Sequence, residues 1–329
     1  MEEKIAVIGS NSFSGSHFVD FALGMGMNVI GVSRSAELNP VFLPYKARQK
    51  PKFRFYRMDL NYDLGKMMKL IYSFQPEYVV NFAAQSMVGE SWQHPEHWFQ
   101  TNVVSSIKLH DQLRKCDFLK KYVHISTPEV YGNCSGLVKE NNFYNPSTPY
   151  AVSKAAVDMS LSGFHRNYGF PVVFTRAANV FGPGQQLYRI IPKTIICFLL
   201  GKKIPLHGGG RSVRSFIHIK DVCDGTFKVC HLGKPGEVFH FSTDRQISIA
   251  SLVEIIAKKM NVSFKDNTEI VDDRPGKDAA YLLDSSKARD LLGWQAKTGL
   301  EEGIDQTIAW VKDNFKYLKK QSLAYVHKA

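Results

Sequence analysis

Six short runs of apolar, β-favouring residues recur through the first half of the chain, at 5–8, 29–33, 53–56, 78–82, 122–125 and 172–175. No other feature constrains the fold as much. The runs are apolar on both faces, which suits strands buried between two helix layers, and parallel strands need the long crossovers that helices supply. The spacing predicts helices at 15–25, 64–74, 97–116, 150–168 and 191–200. The expected fold is α/β with a doubly wound parallel sheet, whose ligand crevice lies at the carboxyl ends of the strands.

After Gly182-Pro183-Gly184 the pattern loosens into a Gly- and Arg-rich stretch at 207–215 and a polar segment at 272–276. A strand-like run at 237–241 interrupts it and is expected to rejoin the sheet. We therefore expect a Rossmann-type dinucleotide-binding domain over 1–180, with 237–243 returning to it. A smaller, interleaved C-terminal domain over 181–329 would bind substrate. Residues 313–329 read as a basic, partly frayed helical tail.

The 42 Lys and Arg against 30 Asp and Glu leave a formal charge of +12. Nucleic acid, an anionic membrane surface or small anionic ligands could each answer that surplus. Five cysteines without a CxxC pair indicate a reducing compartment, and the acidic start lacks the features of a secretion signal. The apolar stretch at 195–200 is far shorter than the roughly 20 residues a membrane span needs. The expectation is a cytoplasmic protein with no membrane or nucleic-acid partner. The histidines show no ligand spacing, so no metal is expected.

The first apolar run is followed by Gly9-Ser-Asn-Ser12-Phe13-Ser14-Gly15, which opens a helix. Glycines at both ends permit a tight turn and the approach of a pyrophosphate to unpaired helix N–H groups. The second run ends Ser33-Arg34-Ser35, with no acid to hold a ribose 2′-hydroxyl. Arginine there accommodates a 2′-phosphate, which favours NADP over NAD, although Arg34 could also sit in a solvated loop. Tyr150-Ala-Val-Ser-Lys154 places a phenol and an ammonium four apart on one helix face. A neighbouring positive charge lowers a phenol's pKa towards that of a useful base.

Together with Asn81-Phe-Ala83-Ala84, Ser126-Thr127-Pro-Glu129, Arg176-Ala-Ala-Asn179 and Asp273-Arg-Pro-Gly276, these motifs resemble the extended short-chain dehydrogenase/reductases that act on nucleotide-diphosphate sugars. The resemblance runs over essentially the whole chain. It is strongest to the dTDP-glucose 4,6-dehydratases, with features of the GDP-mannose enzymes. It implies a catalytic set of Thr127, Tyr150 and Lys154, with Glu129 removing a C5 proton. It further implies cofactor contacts at Gly9, Ser12, Phe13, Ser14, Gly15, Ser33, Arg34, Asp59, Leu60, Ala83 and Ala84, beside Tyr150 and Lys154. Substrate contacts would fall at Ser86, Asn179, Arg189, Arg211, Arg214 and Arg274.

The implied activity is an NDP-hexose 4,6-dehydratase with a tightly bound, recycled cofactor. The implied assembly is a homodimer through helices near 97–116 and 150–168. A 4-epimerase or a UDP-hexuronate decarboxylase would share the fold and the first half of the chemistry, and a non-catalytic nucleotide- or RNA-binding member is a distant third. Epimerisation needs no carboxylate at position 129, so Glu129 separates the readings. The thymidine-type dehydratases carry an acid where this chain has Pro128.

Overall fold

A strand that is apolar on both faces needs cover on both sides, and the chain supplies it by alternating strands with helices. The computed structural model describes residues 2–49, 52–134, 136–272 and 282–328. The first half runs through β1 (Lys4–Ile8), α1 (Phe13–Gly24), β2 (Asn28–Ser33), β3 (Phe53–Arg57), α2 (Leu64–Phe74), β4 (Tyr78–Asn81), α3 (Pro95–Phe99), α4 (Ser106–Leu113), β5 (Lys121–Ile125), β6 (Leu137–Val138), α5 (Pro149–Tyr168) and β7 (Val172–Ala177). The second half adds β8 (Asn179–Phe181), α6 (Ile190–Leu199), β9 (Ile204–His207), β10 (Val213–His218), α7 (Ile219–Leu232), β11 (Val238–Phe241), β12 (Gln246–Ser248), α8 (Ile249–Met260), β13 (Thr268–Val271), β14 (Leu282–Leu283), α9 (Ser286–Leu292), α10 (Leu300–Asp313) and α11 (Phe315–Leu318).

Seven strands form one sheet in the order β3-β2-β1-β4-β5-β7-β11, and every neighbouring pair is parallel. The six expected runs are all in it, and the run at 237–241 becomes the edge strand β11, with Val238 opposite Phe174. Alternation along the strands divides the core. Ile5, Val7, Val29, Val80, Val123, Val173 and Phe239 pack on α1 and α7, whereas Ala6, Ile8, Ile30, Val32, Val79, Tyr122 and Phe174 pack on α2, α4 and α5. Strand order reverses at β1, so a crevice opens between the carboxyl ends of β1 and β4. A third core under α6, α8 and α10 supports small mixed sheets, including β8, β10 and β12.

Three local expectations are corrected. Helix α1 starts at Phe13, two residues early, because the Ser12 hydroxyl caps it by accepting from the Gly15 N–H at 3.0 Å. The helix expected at 97–116 is split by a π-helical turn, Gln100–Ser105. Asn102 is pinned there by the Gln85 backbone, at 2.8 and 3.0 Å, and by donating to Ser153 Oγ at 2.9 Å. The tail beyond α11 is extended rather than helical. Leu323, Tyr325 and His327 are half-buried, and Ser322, Ala324, Val326 and Lys328 are exposed, the period of two of a strand-like segment laid on a surface.

The basic stretch at 45–57 also finds partners in the fold. Lys46 pairs with Glu37 at 2.7 Å, Arg48 with Asp20 and Lys52 with Glu2, around a buried Tyr45. Among the described residues no helix is long and apolar enough to cross a membrane.

Candidate active site

At the head of the crevice the backbone of Gly9, at φ +82°, leaves no room for a side chain. A Cβ there would lie 2.6 Å from the Ala83 nitrogen, and one on Gly15 would lie 2.2 Å from the Gly9 oxygen. The two glycines thus let the β1 turn close against the end of β4 and expose the start of α1. A cavity of about 210 Å³ follows, lined by Gly9, Ser12, Ser33, Arg34, Asp59, Leu60, Ala83 and Ala84. This shape and donor set fit a dinucleotide with its adenosine between β2 and the loop after β3.

Sequence reasoning missed Asn11, Asn61, Gln85 and Thr101 in this wall. Asn11 stitches the turn to the β2 loop through Ser35 O at 3.0 Å and Ala36 O at 2.9 Å. Thr101 reaches the wall because of the π turn, and its hydroxyl accepts from Asn61 at 3.1 Å.

A second cavity of about 590 Å³ shares Ser12, Phe82 and Ala84 with the first, so the two form one cleft. Its lining includes Phe13, Ser14, Ser86, Thr127, Glu129, Tyr150, Lys154, Asn179, Arg189 and Arg214. Thr127, two residues beyond β5, caps the 3₁₀ turn Pro128–Tyr131, which carries Glu129 into the cavity. Tyr150 sits in the first turn of α5, held by the Thr148 cap on the Ala151 N–H at 3.2 Å.

The electrostatics differ from the expectation. Burial, then the charge of Glu129, pushes the Tyr150 phenol above its ordinary range, while a hydrogen bond with Thr127 and the charge of Arg189 oppose this. Lys154 donates to the Ile125 carbonyl at 2.8 Å and lies 3.1 Å from His124 Nε2. Burial brings its ammonium down to about 8, with Asp158 opposing. Helical spacing put Lys154 on the right face, but the end of β5 engages its charge, and the phenol is not lowered by it.

Behind these residues lies a network that sequence reasoning overlooked. Arg176 on β7 donates to Asp158 on α5 at 2.9 Å, and neither side chain is accessible. Ser126 donates to the same carboxylate, and Arg176 also reaches the Tyr131 hydroxyl and, at 3.1 Å, that of Tyr144. Tyr150, Lys154 and Asp158 recur every four residues on one helix, a spacing from which the third member could have been found.

The arginines divide. Arg189 precedes α6 with its guanidinium 5.4 Å from the Tyr188 ring centre, and Arg214 extends from β10 into the larger cavity. Arg211 is not brought in: it is exposed and donates to the Gly208 carbonyl at 3.1 Å, because the Gly208–Gly210 turn folds it back. Arg274 lies outside the described residues. Lys193 and His207 were missed and line the cavity, whereas Asn179 both lines it and ties β8 to β10 through Ser215 O at 3.2 Å.

A parallel sheet that reverses at a glycine turn, with Thr127, Tyr150 and Lys154 around one cleft, defines an extended short-chain dehydrogenase/reductase. Residues 7–307 match the family model of GDP-mannose 4,6 dehydratase, and the chain belongs to this family of nucleotide-sugar dehydratases and epimerases. It is 30% identical over 328 residues to a dTDP-glucose 4,6-dehydratase of Xanthomonas campestris pv. campestris, covering 94% of this chain and 93% of that one. It is also 30% identical to a trifunctional UDP-glucose 4,6-dehydratase, 3,5-epimerase and reductase of Arabidopsis thaliana, but covers only 47% of that longer protein.

Among solved structures, the dTDP-glucose 4,6-dehydratase DesIV of Streptomyces venezuelae, with NAD and TYD bound, superposes with a TM-score of 0.88 at 30% identity. That match covers 95% of this chain and 98% of the other. A UDP-glucuronic acid 4-epimerase of Bacillus cereus, in complex with UDP-glucuronic acid and NAD, gives 0.85 at 27%, covering 94% and 99%.

The buried network generates a test. Asp158→Asn removes the charge that holds the Lys154 ammonium up, so its titration is expected to move below about 8. It also leaves Arg176 without its anion, which is expected to cost about 3 kcal/mol in chemical denaturation. NMR-detected lysine titration reads the first effect, and an upward shift would mean that Asp158 does not face Lys154.

Proposed function

We propose that the chain is an NDP-hexose 4,6-dehydratase, a reading carried by Glu129. Among the described residues lining the larger cavity it is the only carboxylate, and its charge reaches the phenol of Tyr150. A phenol and a carboxylate facing one cavity can take protons from neighbouring sugar positions, which dehydration requires and epimerisation does not. In this reading the 1–180 region with 237–243 holds the cofactor, and the 181–329 region holds most of the nucleotide. Arg189, Arg214 and Lys193 supply positive charge to the diphosphate.

Gly9, Ser12, Gly15 and the β2 loop would hold a nicotinamide dinucleotide, which would supply a reversible hydride acceptor for C4 and C6. Tyr150 takes the proton of the C4 hydroxyl as phenolate, a state that the positive charge of a bound oxidised nicotinamide would favour over the neutral phenol that burial and Glu129 favour here, and Thr127 holds the same oxygen by hydrogen bond. Lys154, one helical turn on, keeps a positive charge near the site below about pH 8. With C4 a ketone, the C5 proton becomes acidic and Glu129 removes it as the C6–oxygen bond breaks. Pro128 has no proton to give, so Glu129 passes the proton it has just received to the departing hydroxyl. Hydride arriving at C6 leaves an enolate that takes a proton back at C5, equal in count to the one Tyr150 holds from the C4 hydroxyl, so the products are water and an NDP-4-keto-6-deoxyhexose and no proton is left over.

Incubation with a panel of NDP-hexoses should yield a 4-keto-6-deoxy sugar lighter by one water in mass spectrometry. Tyr150→Phe is expected to abolish turnover, whereas Glu129→Gln should still exchange hydride at C4 yet release no water. Full dehydration by the Glu129→Gln protein would sink the assignment, and a product of unchanged mass from the native protein would support the epimerase reading.

For the cofactor we favour NADP. Ser33, Arg34 and Ser35 present no carboxylate to the cavity, and Arg57 donates to the Arg34 carbonyl at 3.2 Å, so two guanidinium groups flank this corner. Arg34→Ala is expected to weaken NADP binding about tenfold or more, the worth of a charge-assisted hydrogen bond, while NAD changes little. Equal effects on the two would remove the 2′-phosphate argument.

The homodimer implied by resemblance would use α3, the π turn, α4 and α5, where Phe99, Val104, Val152 and Met159 are exposed. Sedimentation equilibrium at micromolar protein is expected to give twice the chain mass, and a monomer there would reject this assembly.

A further inference from the structure

The extended tail lies against the cleft. Lys328 O accepts from Gln85 Nε2 at 2.6 Å, and Gln85 lines the smaller cavity. Tyr325 packs edge-on to Tyr188, which lines the larger one, with ring centres 5.3 Å apart. Between them, the His327 ring lies nearly parallel to that of the buried Trp98 at 5.1 Å, and His327 Nε2 is 2.8 Å from His97 Nδ1. The strap thus touches a wall residue of each cavity and is joined to α3 through a pair of imidazoles.

The other nitrogen of His97 faces a different group. His97 Nε2 is 3.6 Å from Glu96 Oε1, and His94 Nδ1 is 3.7 Å from the same oxygen. The ligand atoms of His94, Glu96 and His97 all lie within 4.8 Å of one another. Bonds of about 2.0–2.1 Å in tetrahedral geometry place ligand atoms roughly 3.4 Å apart, so small side-chain rotations close this triangle around one ion. Two imidazoles and a carboxylate select zinc-like transition metals over magnesium or calcium, which prefer oxygen alone. The spacing His94-x-Glu96-His97, read as unremarkable in the sequence, becomes a ligand set because the Pro95 helix start turns all three towards solvent on one side.

We propose that His94, Glu96 and His97 bind a divalent transition metal such as zinc, and that the bound metal locks the C-terminal strap over the cleft through His327. A metal on His97 Nε2 leaves that ring's proton on Nδ1, where it can only donate, and the acceptor 2.8 Å away is His327 Nε2. Without the metal either tautomer is open to His97, and the link to the strap loses its fixed sense. That the strap covers a cofactor rests on the functional reading above; the metal site and its hold on the strap do not.

The experiment uses the full chain without a polyhistidine tag. Calorimetric titration with zinc chloride is expected to show one site. His94→Ala and Glu96→Gln should each weaken it about tenfold or more, whereas His327→Ala should weaken it less than either ligand change. Hydrogen exchange of peptides covering 319–329 reads the strap: zinc is expected to slow exchange in the native chain and not in the His327→Ala chain. No zinc binding, or binding indifferent to His94 and Glu96, overturns the site. Zinc binding that leaves exchange of the tail unchanged, or slows it equally in His327→Ala, overturns the lock. A parallel NADP titration by fluorescence tests the cofactor reading separately, since a chain that binds zinc and orders its tail but binds no dinucleotide refutes only that reading.

Discussion

The arrangement of the cleft depends on one ion pair with no access to water, Asp158 on α5 and Arg176 on β7. Removing two charges from water costs several kcal/mol, and further hydrogen bonds to both partners offset it, although Asp158 Oδ1 and Arg176 Nε make none. Ser126 binds the carboxylate from the end of β5, and Tyr131, Tyr144 and the Asn141 carbonyl take the guanidinium from the loops beyond. Such a pair stabilises little compared with apolar residues of the same volume, but it allows few other positions for α5. Thr127 follows Ser126 directly, and Lys154 precedes Asp158 by one turn. The pair therefore sets how the Thr127–Glu129 turn faces Tyr150.

The sheet was legible because its signal is local. A run such as Tyr78–Asn81, buried on both faces, carries its own evidence of two covering layers. The glycine turn was legible for the same reason, since Gly9 and Gly15 lie within one short loop and a Cβ on Gly15 would meet the Gly9 oxygen, whereas the close approach of Gly9 to the distant Ala83 was not. What escaped depends on residues far apart in sequence. Asn102 distorts its helix to satisfy Gln85 and Ser153, and Lys154 turns to the Ile125 carbonyl rather than to the phenol one turn away. Neither partner can be inferred from helical periodicity.

The charge surplus shows the same division. The basic stretch at 45–57 suggests a positive surface when read alone, yet Glu2, Asp20 and Glu37 come to it from other elements. Arg34, Arg189 and Arg214 instead line the two cavities. Some of the 42 Lys and Arg are thus matched by distant acids, and others are concentrated where a dinucleotide and a sugar diphosphate would place their phosphates. Net charge alone could not separate these two fates.

The strap bears on the proposed chemistry through the fate of the hydride. In a 4,6-dehydration the hydride taken from C4 returns to C6 within one turnover, so the cofactor leaves the cycle in the state in which it entered. Nothing in that cycle requires it to exchange with solvent, unlike a dehydrogenase that must release reduced cofactor each time. A segment tied to the wall of the smaller cavity at Gln85 therefore need not slow turnover, provided the larger cavity stays open for the sugar nucleotide. Among the described residues the contact at that end is an edge-on ring pair between Tyr325 and Tyr188, weaker than the hydrogen bonds at the other end. The strap is thus anchored where a recycled cofactor should stay and lightly held where substrate and product must pass.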